Sequence, residues 1–390
     1  MQRRTAVAGV GESEFFKRGG ASETEFQLAC KAIRRAVEDA GLKLSDVDGI
    51  VSYMDARNNP VRLSAALGLS RIEFTGQTFG GGGNGAASAV MIADAAISAG
   101  YAETIVVFRA LAQGQFGRFG QAGFGYSAGR NVVPGPQAFT VPYGLVTAAQ
   151  INAVQTVRFM HEHAVTQDSL FEVAFVAYDN AQRNPRALRR GSPITREDYD
   201  ESRWIAEPFH LFDCCPENDG ASAIVVTTVE RARDLAKGAV PILAAAQGLE
   251  HRGGVDGFNE APFPTAHFRH VGESLWSRAG VSPKDVPVAQ FYENFTGPVL
   301  MAISEMGFCP PDDLEKWVTA GSLRWPNGEL PINTSGGNLG EAYIHGFGLV
   351  NEAVRQIRGE STSQVEGAEL SLMVAGPGYA PGSAVLFCRD

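Results

Sequence analysis

Two stretches of the chain share one order of hydrophobic and polar positions: a glycine-rich turn, an apolar helix and a buried strand. In the first stretch, a glycine run at 80–85 leads into small residues at 86–99, and the apolar run TIVVF follows at 104–108. In the second, a glycine-rich turn leads into apolar residues three and four positions apart within 336–358, which predict a helix. A strand is predicted after it at 369–374. This repetition predicts an internal duplication of βαβ units, with a mainly parallel sheet between helices.

Apolar runs outside the two stretches predict the rest of the architecture. Strands are predicted at 5–9, 47–53, 221–227 and 240–246, and helices at 26–41, 62–69 and 148–183. Their order divides the chain into an N-terminal half, residues 1–235, and a C-terminal half, residues 236–390. The first half contains an insertion at about 112–210, whose Gly-, Gln- and Phe-rich beginning is typical of a long surface loop.

Composition and charge argue against several classes of protein. The 390 residues can bury a large core, and 44% hydrophobic with 19% charged residues is typical of a globular protein. A net charge of −10 disfavours a nucleic-acid partner. The five cysteines show no CxxC spacing, which argues against a disulfide framework or a zinc site. Cys214 and Cys215, at a turn before Pro216, are expected to serve packing. With no signal-peptide segment and no apolar run of about 18 residues, we expect a cytoplasmic protein without a membrane span.

The turn before the second helix carries side chains that can transfer protons. Tyr343 and His345 lie there, within the sequence NTSGGNLGEAYIHGFGLVNE. Asn333 and the glycine pair at 336–337 match the Asn-x-x-Gly-Gly motif of thiolases, and residues 342–344 stand where these enzymes have Gly-His-Pro. The segment therefore resembles a thiolase active-site loop in which a tyrosine replaces the histidine.

Two further segments, at 156–187 and 213–226, resemble the thiolase-like branch around the sterol carrier protein thiolases, which includes bacterial lipid-transfer proteins. The similarity runs from about residue 5 to the C-terminus. It implies the thiolase fold, an α/β architecture of two duplicated βαβαβ halves in a five-layer α-β-α-β-α arrangement with an inserted loop domain. It also implies that the two buried helices, which begin near residues 86 and 346, lie side by side.

The reactive side chains of a thiolase are absent from the matching positions. The nucleophilic cysteine of this branch falls at Gly83, and the second cysteine falls within 373–378, where the chain has none. The His-Asp-x-Phe motif of the branch matches residues 292–295, where Tyr292 replaces the histidine. Tyrosine thus stands at both histidine sites, Tyr292 and Tyr343. This pattern resembles the cysteine-less steroid side-chain aldolases of the branch.

The resemblance implies retro-aldol cleavage of a β-hydroxyacyl-CoA into a ketone or aldehyde and a shorter acyl-CoA, without a cysteine acyl-enzyme. Tyr292 and Tyr343 would act as base and acid, and which is which stays open. Because a phenol has an ordinary pKa near 10, the base needs a shifted pKa or a coupled proton acceptor. Glu293 and His345 are the nearest such acceptors in sequence.

The remaining site predictions concern the backbone and the substrate. N–H groups of the glycine turns, at Gly83 and Gly378, are expected to hold the enolate oxygen. Asn333 is expected to position a water molecule or the loop itself. No metal is expected, and no cofactor besides the coenzyme A carried by the substrate. The Phe- and Gly-rich segment 112–127 favours a bulky apolar substrate, such as a steroid side chain.

Other functions stay open on the sequence alone. The chain could be an acyltransferase of the Claisen or acetyl-transfer type, or a non-catalytic subunit that binds acyl-CoA or lipid. In a third alternative the site is inactive and the tyrosines fill the space of the histidines. The absence of a cysteine disfavours the first alternative, and the two phenols disfavour the others.

The resemblance also implies protein partners. Thiolases pair through the strand after the cysteine helix, here 104–108, so a homodimer is expected. Members of this branch often need a small acyl-CoA-binding protein with a zinc ribbon and an OB-fold, and nothing in this sequence supplies those modules. The arginines within 183–190 are expected on a solvated surface, with contact to the CoA phosphates as the alternative.

Overall fold

A computed structural model describes residues 4–53, 57–79, 82–116, 135–250 and 263–390. Its strands are β1 (Thr5–Glu12), β2 (Phe16–Lys17), β3 (Gly49–Tyr53), β4 (Phe74–Thr78), β5 (Thr104–Ala112), β6 (Trp204–Ala206), β7 (Phe209–His210), β8 (Asn218–Thr228), β9 (Val240–Gly248), β10 (Ala289–Phe291), β11 (Leu370–Ala375) and β12 (Gly382–Cys388). Its α-helices are α1 (Glu25–Asp39), α2 (Pro60–Leu67), α3 (Ala86–Ser98), α4 (Ala148–His163), α5 (Gln167–Arg183), α6 (Arg196–Glu201), α7 (Val229–Arg233), α8 (Arg269–Ala279), α9 (Thr296–Glu305), α10 (Leu314–Thr319), α11 (Gly337–Gly340) and α12 (Phe347–Arg358). Most of the apolar segment predicted to favour a bulky substrate, 117–127, lies outside the described residues.

Each half of the chain contributes its own set of strands. The N-terminal set has the order β4-β3-β5-β8-β1, and the C-terminal set has the order β9-β12-β11-β10. The sets join where β1 pairs with β9, at Ala6 with Pro241 and Val7 with Val240. The prediction of a mainly parallel sheet is wrong. Only β3–β4, β3–β5 and β10–β11 are parallel pairs among the described strands of this sheet, because short connections such as the turn between β11 and β12 return the chain antiparallel.

Three hydrophobic cores show the layering. One core lies between α1, α2 and the outer face of the N-terminal strands. A second lies between the inner faces of the two strand sets and contains α3 and α12. The third covers the other face of the C-terminal strands with α8 and α9. The order helices, sheet, helices, sheet, helices is the predicted five-layer thiolase arrangement, which is confirmed.

The two central helices fit between the strand sets for different reasons. The side chains that α3 buries are mostly alanine, such as Ala86, Ala89 and Ala93, so both sheets approach it closely. Helix α12 is buried along almost its whole length and contacts α3. The predicted side-by-side packing of these helices is therefore present. It places the N-termini of both at the centre of the molecule, where the candidate site lies.

One sequence-based expectation about a single element is refined and one is wrong. The segment 148–183 is helical as predicted, but Ala164 takes a positive φ of 51° and divides it into α4 and α5. The strand β5 is not an edge, because it pairs with β3 on one side and with β8 on the other. The strand at the end of the N-terminal set is β4, which pairs only with β3 among the described strands. A dimer that extends this sheet would therefore use β4.

No helix within the described ranges is both long enough and apolar enough to cross a bilayer.

Candidate active site

Two phenols meet at the centre of the molecule. Tyr292 follows β10, and its N–H donates to the Val374 carbonyl oxygen on β11 at 2.9 Å. Tyr343 lies in the turn before α12. The two hydroxyl oxygens are 2.8 Å apart and form a hydrogen bond. Tyr292 is 2% exposed and Tyr343 is 8% exposed, so the structure brings together the two predicted proton-transfer residues in a nearly closed space.

The ring of Tyr292 occupies space that two glycines leave open. A Cβ atom at Gly83 would lie 1.9 Å from Cε2 of Tyr292, far inside van der Waals contact. A Cβ at Gly346, whose φ is 78°, would lie 2.5 Å from Cδ2 of the same ring. The tyrosine at 292 and the absence of a side chain at 83 are therefore coupled. No cysteine can stand at 83 while Tyr292 keeps this position.

Both phenols are held in the neutral form. Burial raises the pKa of Tyr292 well above 10, and the neighbouring Tyr343 raises it further. Burial likewise raises the pKa of Tyr343 well above 10. Of the two alternatives for the base, a shifted pKa or a coupled proton acceptor, the raised pKa values favour the coupled acceptor. Chemistry at this pair has to proceed without a free phenolate.

The backbone of Tyr343 is clamped by a residue that sequence analysis did not single out. Its N–H donates to Oδ1 of Asn218 at 2.7 Å, and its carbonyl oxygen accepts from Nδ2 of Asn218 at 3.2 Å. The Asn218 N–H in turn donates to Oε1 of Gln113 at 2.6 Å. Both the oxygen and the nitrogen of one side-chain amide are thus used to fix the loop that carries the phenol.

The protonation state of His345 follows from its neighbour Arg109. Nδ1 of His345 lies 3.1 Å from Nη2 and 3.3 Å from Nε of Arg109. A guanidinium only donates hydrogen bonds, so Nδ1 must be the unprotonated nitrogen and Nε2 carries the proton. Nδ1 is therefore not available to accept a proton from Tyr343, whose ring lies edge-on at 5.2 Å between centroids. The sequence hint that was missed is an arginine inside the apolar strand β5.

Glu293 and Asn333 support the loop around the phenols. The Glu293 carboxylate accepts from the Leu339 N–H at 3.3 Å and from Nδ2 of Asn338 at 3.2 Å, and burial raises its pKa to about 8. Asn333 bonds both backbone groups of Phe291, at 2.8 and 2.9 Å, and so fixes the turn against β10. These contacts fit the predicted positioning role of Asn333. In the described structure, the side-chain hydrogen bonds of Glu293 go to the 333–339 turn and not to the phenols.

The two glycines predicted to donate to an enolate differ in their surroundings. Gly83 lies at the N-terminal end of α3, directly against Tyr292. The Gly378 N–H donates to the Ala266 carbonyl oxygen at 3.2 Å, so that N–H already has an acceptor. The turn of Gly378 nevertheless borders the site, since a Cβ at Gly376 would lie 2.4 Å from Cα of Asn84.

A cysteine that sequence analysis assigned to packing also lies at the phenols. Cys215 packs against the core cluster that contains Tyr292 and Tyr343, and its N–H donates to the Asn294 carbonyl oxygen at 3.0 Å. Burial raises the pKa of the Cys215 thiol well above its ordinary value. With its pKa raised, the half-buried thiol of Cys215 stays neutral and is a poor nucleophile. The packing interpretation therefore fits, and Cys215 packs against the cluster that contains the phenols and against the neighbouring cluster of Tyr178.

Two arginines of the basic segment 183–190 form ion pairs within the chain. Arg186 forms an ion pair with Glu341 at 3.1 Å, and Arg183 forms one with Asp179 at 2.7 Å. These two arginines therefore already bind carboxylates of the chain. Across the ranges that the structure describes, no three His, Cys, Asp or Glu side chains converge as a metal site requires.

Comparison with known proteins gives consistent matches. Residues 258–387 match the family described as thiolase C-terminal domain-like. The chain is 37% identical to a steroid side-chain-cleaving aldolase of Thermomonospora curvata, over 98% of this chain and 97% of that protein. It is 38% identical to the 17-hydroxy-3-oxo-4-pregnene-20-carboxyl-CoA lyase of Mycobacterium tuberculosis, over 99% and 100%. A solved structure named Ltp2-ChsH2(DUF35) aldolase is similar at a TM-score of 0.91 and 36% identity, over 99% of this chain and 98% of that one.

Proposed function

This chain belongs to the thiolase-related family of steroid side-chain-cleaving aldolases, and we propose that its two buried tyrosines carry out retro-aldol cleavage of a β-hydroxyacyl-CoA. The observation that carries the proposal is the hydrogen bond of 2.8 Å between the hydroxyls of Tyr292 and Tyr343. These phenols occupy the place where a thiolase would hold its nucleophile and histidines. The reaction needs proton transfer and no acyl-enzyme, which is what this set of side chains can supply.

The phenol pair is suited to move one proton without forming a free phenolate. In the cleavage, the β-hydroxyl loses its proton, the Cα–Cβ bond breaks, and Cα gains a proton. One tyrosine accepts the hydroxyl proton while it passes its own proton to the second, and the second protonates Cα. The two phenols end neutral, with their protons exchanged. Since burial raises the pKa of both well above 10, this concerted relay avoids the charged form that the site disfavours.

Because bond cleavage runs ahead of the protonation of Cα within this concerted step, negative charge develops transiently on the thioester oxygen, as in an enolate. The N-terminal end of α3 is turned to the phenols at Gly83, and a helix N-terminus stabilises negative charge there. Gly83 is therefore the predicted glycine that this mechanism retains. Gly378 is not used, because its N–H donates to Ala266.

The substrate is a CoA thioester with a bulky group on the β-carbon, of the steroid side-chain type. The names of the two similar proteins support this class, since one is a steroid side-chain-cleaving aldolase and the other is a lyase of a 17-hydroxy-3-oxo-4-pregnene-20-carboxyl-CoA. Cleavage of such a compound leaves a ketone at the ring system and a shorter acyl-CoA. The products of a turnover with a synthetic steroid β-hydroxyacyl-CoA test this directly by mass spectrometry.

An acyltransferase is the competing function. It needs an acceptor for the acyl group, and Tyr292 fills the space where a nucleophile at 83 would project. Cys215 is the thiol at the site, and its raised pKa leaves it protonated. Both observations favour the aldolase.

Two protein partners belong to the proposal. A second copy of the chain would pair along the edge strand β4, and not along the strand at 104–108 that the sequence predicted for this role. The similar solved structure is named for two components, Ltp2 and ChsH2(DUF35), which supports a separate acyl-CoA-binding partner for this chain as well. Sedimentation of the single chain tests the dimer, and turnover with and without the partner tests its role.

The central experiment replaces each phenol. Tyr292→Phe and Tyr343→Phe should each lower kcat by roughly 10² to 10⁴, the range for a positioned acid or base, with little change in KM. The double variant should be far less than multiplicatively worse, because the two form one relay. Tyr178→Phe is the matched control, since Tyr178 is buried in another cluster. If both single variants turn over like this control, the tyrosines only fill space and the proposal fails.

A further inference from the structure

A third phenol stands beside the pair. Tyr379 lies in the turn between β11 and β12, and its oxygen accepts a hydrogen bond from Nδ2 of Asn152 at 2.9 Å. Nδ2 of Asn294 lies 3.4 Å from the same oxygen. These partners come from α4 and from the segment that follows Tyr292. Side chains from two distant parts of the chain thus converge on the hydroxyl of Tyr379.

The orientation of the Asn152 amide is fixed by a second contact. Nδ2 of Asn152 also donates to the Ala148 carbonyl oxygen at 2.8 Å, and a carbonyl can only accept. The amide nitrogen therefore faces Tyr379, and the phenol oxygen must be the acceptor of that bond. Among the described residues, the Tyr379 hydroxyl accepts the two amide bonds and donates none. Its own O–H stays available for a group outside the chain.

Within the described residues, the two amides that bond Tyr379 each leave their oxygen without a hydrogen-bond partner. Oδ1 of Asn152 and Oδ1 of Asn294 are both buried without a hydrogen-bond partner in the described structure. The two side chains are nearly inaccessible, at 0% and 5% exposure. Buried amide oxygens without partners are rare in a folded core and mark places where water or a ligand binds. The chain thus keeps two unpartnered amide oxygens buried beside Tyr379, at a cost in stability.

The turn of Tyr379 is held against the same backbone that makes room for Tyr292. Gly376 packs so closely on Asn84 that a Cβ atom there would lie 2.4 Å from Cα of Asn84. Asn84 directly follows Gly83, which abuts the Tyr292 ring. Nδ2 of Asn84 also donates to the Pro381 carbonyl oxygen at 3.0 Å, two residues beyond Tyr379. These contacts fix the turn that carries Tyr379 relative to Tyr292 and Tyr343.

We infer that Tyr379 donates its O–H to the thioester carbonyl oxygen of the substrate and stabilises the enolate-like negative charge that develops there as the Cα–Cβ bond breaks. This inference rests on the proposed retro-aldol function and adds a residue to it. The relay at Tyr292 and Tyr343 serves the β-hydroxyl and Cα, which leaves the thioester oxygen as the atom that gains charge. Gly378 was expected to serve that oxygen, but its N–H is used by Ala266. Tyr379 is the next residue and has a proton to give.

Asn152 is a positioning residue in this arrangement. By donating to the phenol oxygen it orients the ring and makes the phenol O–H a stronger donor, because chains of hydrogen bonds polarise one another. The absence of a side chain at Gly378 lets the Asn152 amide come this close to the turn of Tyr379, since a Cβ at Gly378 would lie 2.6 Å from Oδ1 of Asn152. Asn152 touches no reacting atom.

The test separates formation of the enolate from cleavage. The protein is incubated with the shorter acyl-CoA product in D₂O, and deuterium incorporation at Cα is measured. This exchange passes through the same enolate-like state but breaks no C–C bond. Tyr379→Phe should lower both exchange and cleavage on the order of 10²-fold, as loss of one donor to an oxyanion does. Asn152→Asp should lower both comparably, since a carboxylate accepts the phenol proton, whereas Asn152→Ala should cost less and add little to Tyr379→Phe.

The outcomes distinguish this inference from the proposed function. If Tyr379→Phe keeps the exchange and cleavage rates of the Tyr178→Phe control while Tyr292→Phe and Tyr343→Phe are inactive, only the third-phenol inference is overturned. If Tyr379→Phe loses cleavage but keeps exchange, the phenol does not serve the thioester oxygen, which also overturns it. Should Tyr379→Phe fold poorly, Asn152→Asp serves as the test in its place, because aspartate keeps the shape of the asparagine side chain. Unchanged exchange and cleavage rates in Asn152→Asp would then overturn the role of Tyr379. Full cleavage in all three tyrosine variants overturns the proposed function itself.

Discussion

The coupling between Gly83 and Tyr292 gives a sharp test of the site. In Gly83→Ala the new methyl carbon would lie 1.9 Å from Cε2, 2.3 Å from Cζ and 2.7 Å from Cδ2 of Tyr292. Carbon atoms in contact lie about 3.5 Å apart or more, so the ring must retreat by about 1.6 Å. The two hydroxyl oxygens are only 2.8 Å apart, and a shift of that size disrupts their bond.

We expect two measurable results. Overpacking should lower stability by about 1–3 kcal/mol, and loss of the relay geometry should lower kcat on the order of 10²-fold or more. Gly82→Ala is the matched control in the preceding position. Its backbone is extended, with φ 166°, and a Cβ there meets nothing within 4 Å. Thermal melting and turnover of a β-hydroxyacyl-CoA measure both effects.

A double variant isolates the steric origin. In a Tyr292→Ala background the ring is gone, so Gly83→Ala should cost almost no further stability, and the interaction energy of the cycle should equal the cost of the clash. Activity should stay lost in both Tyr292→Ala proteins. If Gly83→Ala is as stable and as active as Gly82→Ala, the phenol is not held where the structure puts it, and residue 83 is not restricted by space.

Two further predictions concern buried titratable groups. Cys215→Ala should keep near wild-type kcat, and iodoacetamide should react with this thiol only slowly in the folded protein, because burial raises its pKa; rapid loss of activity on alkylation that Cys215→Ala abolishes would contradict this. For Glu293, burial raises the pKa from 4.5 to about 8, so the folded state keeps a proton that the unfolded chain releases. The protonated Glu293 therefore contributes to the free energy of unfolding fully below pH 4.5, and this contribution is lost as the pH rises to about 8. Glu293→Gln should remove this dependence of the free energy of unfolding on pH, and an unchanged dependence would contradict the prediction.

The fold was predictable because it depends on patterns that one sequence displays. Glycine turns before apolar helices located α3 and α12, and their repetition indicated the two halves. What could not be predicted was which strands neighbour each other. The run 104–108 is apolar enough to be an edge covered by a partner or a strand inside a sheet, and the structure shows it inside, as part of β5. Pairing between strands far apart in the chain leaves no local trace.

The site was predictable only in part, for the same physical reason. Tyr292 and Tyr343 stood out because they replace specific residues of a motif, and the structure brings them into contact. Arg109, Asn152 and Tyr379 act through contacts between distant segments, and each resembles an ordinary strand, helix or turn residue in sequence. The packing predicted for Cys215 agrees with its contacts to the core, but its place beside the phenols could be seen only in the fold. The reactive role of each predicted residue stays a prediction until the variants are measured.

The two halves of the chain contribute different features to the site, so they should tolerate different amino-acid substitutions. All three phenols come from the C-terminal half, whereas the N-terminal half contributes an empty position at Gly83, a helix end and the arginine that fixes His345. In the thiolase arrangement that the resemblance implies, a nucleophile stands in the N-terminal half at this position. At residue 83 of this chain, the structure leaves room for no side chain at all. Exhaustive mutagenesis should therefore find positions in the N-terminal half that reject every larger residue whatever its chemistry, and positions in the C-terminal half that reject even an isosteric change of one oxygen.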